Sequence, residues 1–105
     1  MCQEYNGWAN YPTWNVALWM DNEQGSHFYF VGRATDLDYD VSDLAAEVKE
    51  YIEEQNPVAD QGSMWNDIVG WTLGSVDWRA IAESFCETAR DYAEHEAEII
   101  ALTEA

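Results

Sequence analysis

"NGWANYPTWNVALWMDN", residues 6–22, holds three of the chain's six tryptophans. Pro12 precedes Thr13, a candidate helix N-cap. Trp14, Ala17 and Leu18 then fall at i, i+3 and i+4, and Val16, Trp19 and Met20 widen the apolar stripe. Asn22 and Gly25 supply a stop. A buried helix over residues 14–21 fits this spacing, and so does a buried strand, because periodicity does not separate the two in so short a run.

Outward from this stretch the signals are clearer. Ser26 is a candidate cap for "HFYFVGRAT", residues 27–35. Phe28, Tyr29, Phe30 and Val31 favour a strand there, while caps on both sides favour a helix. "DLDYDV" reads as a loop. Ser42 is placed to cap a helix over residues 43–55 whose apolar face is Leu44, Val48, Tyr51 and Ile52, with Asp43 at its positive end. "QNPVADQG" reads as a turn. Ser63 begins a further helix that carries Met64, Trp65, Ile68, Val69, Trp71 and Thr72 and stops near Gly74. Asp77 caps the last and longest helix, whose expected inward face is Trp78, Ile81, Ala82, Phe85, Cys86, Ala89, Tyr92 and Ala93. The expected fold is therefore mostly α. It is one domain over residues 1–105, with about five helices around a tryptophan-rich core of Trp14, Trp19, Trp65, Trp71 and Trp78. Residues 27–34 are the segment where a strand remains open.

Composition bounds the function. Twenty-one Asp and Glu stand against four Lys and Arg, a net charge of −17. Such a surface repels nucleic acid and anionic membranes and attracts basic partners. Hydrophobic residues at 48% and aromatics at 14% exclude a disordered acidic chain. Cys2 and Cys86 are too few for a disulfide framework and read as free thiols. No apolar run approaches the roughly 18 residues of a membrane span. "MCQEYNGW" has neither the basic nor the apolar region of a signal peptide. The chain reads as soluble and cytoplasmic.

"NGWANYPTWNVALWMDN" resembles the N-terminal signature of a family of small uncharacterised proteins, in which an Asn-Tyr-x-Thr-Trp-Asn-Val-Ala-Leu-Trp core is followed by Asn or Asp. "SVDWRAIAES", residues 75–84, resembles a second signature of that family. The acidic middle, residues 36–54, matches none of its patterns. Members are often carried by phages and plasmids. The resemblance therefore implies a host-interaction or anti-defence setting and supplies no catalytic residues.

The carboxylates carry the most pattern. Glu83, Glu87, Asp91, Glu94 and Glu98 step by 4, 4, 3 and 4, which places them in one stripe opposite the apolar face of the last helix. Asp43, Glu47, Glu50 and Glu54 repeat the arrangement on the third helix, with Asp36, Asp38 and Asp40 ahead of it. Successive members lie about 4.5–6 Å apart along a helix axis. A phosphate backbone carries a charge about every 3.4 Å per strand. A groove lined with Arg and Lys would accept such a row in place of nucleic acid. Two plainer readings stand beside this. An acidic stripe is the ordinary form of a solvated helix face, and acid excess with a single lysine, Lys49, is also the signature of adaptation to high salt.

Asp36, Asp38, Asp40 and Glu47 occupy positions 1, 3, 5 and 12 of a calcium-loop pattern. Position 6 is Val41, where the loop's turn suits Gly, so no metal site is expected. His27 and His95 lack ligand partners at helical spacing. No nucleophile elbow or glycine-rich loop is present. The expected protein is thus a non-enzymatic inhibitor from a mobile element, without cofactor. Its partner is a basic nucleic-acid-binding protein of the host, such as a CRISPR effector or restriction enzyme. The alternative is a small interaction domain that binds a partner or itself through an aromatic face including Trp8 and Tyr11.

Overall fold

The computed structural model describes residues 6–59 and 62–104, with side chains up to Glu96. Five helices follow one another: α1 (Tyr11–Asn22), α2 (Gln24–Asp36), α3 (Val41–Glu54), α4 (Met64–Gly74) and α5 (Trp78–Glu104). The mostly α expectation of five helices is met. Residues 27–34 lie wholly inside α2, so the strand alternative is excluded.

The caps explain the boundaries. Asn10, not Thr13, caps α1, and its side chain accepts from the Thr13 N–H at 3.0 Å. Asp40, not Ser42, caps α3 by accepting from the Asp43 N–H at 3.0 Å. Ser26 lies inside α2 rather than ahead of it; it is buried, and its hydroxyl donates to the carbonyls of Met20 and Glu23. Ser63 and Asp77 cap as expected, through the N–H groups of Asn66 and Ala80. For α1 and α3 a polar side chain stands three and two residues upstream of the one expected, and that earlier residue takes the orphan amide, whereas Glu23 at the N-cap of α2 makes no side-chain cap hydrogen bond.

The core gathers where α2 and α3 pack on α5, with α1 closing against α2. Phe30, Leu44, Val48, Ile81, Ala82, Phe85, Cys86 and Ala89 are buried there. Phe30 sits 5.6 Å from the Phe85 ring and 5.2 Å from the Tyr51 ring, the latter edge-to-face. Burial pushes the Cys86 thiol up from its ordinary pKa.

Tryptophan is distributed otherwise than expected. Trp8 and Trp78 pack against the core, and Trp14 is half-buried. Trp19, Trp65 and Trp71 face solvent at 69%, 61% and 77% exposure. On α1 the inward positions are Thr13, Ala17 and Met20, which share one narrow arc at 100° per residue; Trp19 falls off it. On α4 no residue is buried. Its side toward the body is Asn66, Gly70, Leu73 and Gly74, across a gap of about 340 Å³ from Lys49 and Glu53 of α3. Two glycines and an asparagine give that side little apolar surface to bury, so the larger residues point outward. Tyr92 and Ala93 also prove exposed, because the buried series of α5 ends at Ala89. From there α5 runs on to Glu104, about 20 Å at 1.5 Å per residue.

The two segments that resemble family signatures meet. Thr13 Oγ1 donates to Asn10 Oδ1 at 2.6 Å and accepts from the Asp77 N–H at 2.8 Å. Asn10 Nδ2 donates to the Ser75 carbonyl at 2.7 Å. This network ties the start of α1 to the junction of α4 and α5.

Candidate functional site

The acidic positions separate into three settings. On α5, Glu83, Glu87, Asp91 and Glu94 are all exposed. At 100° per residue they fall within one arc of about 80°, directed away from the face that packs on α2 and α3. The α5 carboxylates thus form a ridge. Glu83 at its start is partly neutralised by Arg79, whose Nε lies 3.4 Å from Glu83 Oε1. Glu87, Asp91 and Glu94 have no cationic partner among the described residues, and the last two lie on the part of α5 beyond the core. The Glu98 side chain lies outside the described residues, although its backbone continues the helix.

The α3 row goes elsewhere. Glu47, Glu50 and Glu54 turn toward α2 and, with Glu23, line a groove of about 560 Å³ between the two helices. Asp43 is exposed in the first turn of α3. The two rows therefore do not fuse into one face. Helical spacing places carboxylates on a helix, but tertiary packing decides where that side of the helix points.

Asp36, Asp38 and Asp40 are exposed around the turn from α2 to α3. Asp38 and Tyr39 take positive φ, 54° and 61°, which turns the chain sharply enough to bring Asp40 onto the α3 amides. Asp36 contacts Arg33 at 3.5 Å. No three His, Cys, Asp or Glu side chains converge on a metal position among the described residues. His27 Nδ1 lies 3.4 Å from Asp21, and His95 is exposed on α5.

The four cations are all engaged within the chain. Arg33 reaches Glu47 with Nε at 3.1 Å and Nη2 at 3.0 Å from Oε1, and this hydrogen-bonded carboxylate raises the Arg33 pKa. Lys49 lies 3.7 Å from Glu53. Arg79 also donates to Ser42. The Arg90 guanidinium stands 4.8 Å over the Tyr39 ring. Most carboxylates are consequently left facing solvent or one another.

A second kind of surface was not legible in the sequence. Met64, Ile68 and Trp71 share one side of α4 and are all exposed, with Trp65 beside them. Asp67 is the only charged residue of α4, so this helix carries little of the chain's negative charge. Of the aromatic face expected at the N-terminus, Trp8 packs inward, whereas Tyr11 is exposed with its ring 5.4 Å from Trp14.

No described helix is long and apolar enough to cross a membrane. No curated protein and no solved structure matches the chain significantly. Residues 1–98 do match the profile of a family of unknown function, DUF7249, and the chain belongs to that family.

Proposed function

We propose that this protein is a non-enzymatic inhibitor that occupies the basic nucleic-acid groove of a partner protein with the acidic ridge of α5. The observation that carries the reading is the placement of Glu87, Asp91 and Glu94: exposed, in line, without cationic partners among the described residues, and on the side of α5 facing away from the core. A projecting helix with a row of negative charge can enter a groove that a flat acidic surface cannot. Resemblance to a family carried by mobile elements supports a host defence protein as the target. Encounter would be fast and weakened by salt, because it depends on attraction between surface charges.

The test is capture from host extract on immobilised protein. The expected partner binds nucleic acid, is released by duplex DNA, and is lost when Glu87, Asp91 and Glu94 are changed together to Lys. Capture that survives this charge reversal, or a saturated partner that still binds its nucleic acid, would sink the reading.

The exposure of Trp65, Ile68 and Trp71 favours a second reading, a protein-interaction domain that works through α4. Under that reading Trp71→Ser abolishes partner binding and the α5 charge reversal leaves it intact.

A further inference from the structure

The groove between α2 and α3 combines two features that the ridge lacks: concavity and aromatic walls. Tyr29, Phe30 and Tyr51 line it together with Glu23, Glu47, Glu50 and Glu54. The three rings are mutually fixed, Tyr29 to Phe30 at 5.0 Å and Phe30 to Tyr51 at 5.2 Å, both edge-to-face. Phe30 is buried, so the wall is anchored in the core. Glu23, Glu50 and Glu54 have no cationic partner among the described residues. Only Glu47 is paired, to Arg33, which stands outside the residues that line the groove. Four carboxylates around a concave space repel one another more than they would on a convex surface, and the low-dielectric wall focuses their field into the opening.

The geometry points to a binding site for an arginine side chain of a basic protein segment. A guanidinium is planar, stacks on aromatic faces and takes carboxylates in bidentate fashion, which a compact ammonium does not. The chain itself shows both contacts, Arg90 over Tyr39 and Arg33 against Glu47. The volume, about 560 Å³, is more than one side chain needs. A second hollow of about 460 Å³ continues from it, sharing Glu23, Ser26 and Tyr51, and sets Val16, Trp19, Met20 and Ile52 beside the polar Asn15, Asn22 and Gln55. The adjoining hollow takes an apolar side chain next to the arginine. Exposed Trp19 thereby acquires a role as its wall. This site stands apart from the α5 ridge, since α2 and α3 pack on the opposite side of that helix.

The experiment is a titration of isotope-labelled full-length protein followed by NMR at about 0.15 M salt, where surface attraction is screened beyond about 8 Å. The probes are the capped pentapeptide Gly-Leu-Arg-Gly-Gly and its copy with citrulline for arginine. Shifts concentrated around Ser26, Tyr29 and Tyr51 are expected with the first peptide and none with the second. Tyr29→Ala and Glu50→Gln, both at exposed positions, each weaken binding at least tenfold, and Glu54→Gln serves should either perturb the fold. The ridge variant Glu87→Gln, Asp91→Asn, Glu94→Gln binds within twofold of the parent. Equal response to both peptides, equal loss in groove and ridge variants, or no shift at millimolar peptide overturns the site. Any of these leaves the ridge reading to its own capture test.

Discussion

Thr13 is the residue whose environment says most about why the N-terminal stretch is built as it is. It is fully buried, donates to the Asn10 side chain and accepts from the Asp77 amide. Thr13→Val keeps the shape and removes both bonds, leaving the Asp77 N–H and one lone pair of Asn10 without partners. Destabilisation of about 1–3 kcal/mol is expected by urea unfolding, the cost of an unsatisfied buried polar group. A change within a few tenths of a kcal/mol would mean that the network positions nothing. At this scale the sequence was legible in kind and not in register. Ser63 and Asp77 cap where the sequence places them, although Ser75 also stands two residues upstream of Asp77. Asn10 and Asp40 cap in place of Thr13 and Ser42, since a local pattern offers two candidates and the bend of the incoming chain selects between them.

Elements were legible where their two sides differ in chemistry. α3 and α5 each have an apolar and an acidic side, and Leu44, Val48, Ile81, Phe85 and Ala89 went inward as their spacing predicts. α2 and α4 lack that contrast. For α2, aromatic and β-branched residues suggested a strand, and packing against α5 overrode that propensity. For α4, apolar residues spread around most of the helix, so the pattern did not say which side faces the body. Its exposed tryptophans can be checked directly. Trp71→Ser should leave stability within about 0.5 kcal/mol of the parent, as surface substitutions do. A loss of several kcal/mol on thermal or urea unfolding would show that Trp71 is packed. The same indeterminacy limited the candidate site. Helical spacing placed Glu47, Glu50 and Glu54 on one side of α3, and only the packing of α2 beside it turned that row into the wall of a groove.

The whole molecule is governed by its charge. Twenty-one acids and four cations, all four engaged internally, leave a surface that repels itself. Added salt should therefore raise the melting temperature steadily between about 0.01 and 0.5 M NaCl, as the screening length falls from about 30 Å toward 4 Å. A melting temperature that does not move would place most carboxylates too far apart to matter. A chain that folds only in molar salt would instead mark adaptation to brine. The network from Asn10 and Thr13 to Ser75 and Asp77 has one more consequence. It fastens the far end of the α4 excursion, while the end of α3 fastens the near one, and the core contacts between α5 and the first three helices bypass that excursion altogether. Severing the polypeptide between α3 and α4 is therefore expected to leave two halves that hold together as a non-covalent pair, which co-purification of the two separately tagged fragments checks.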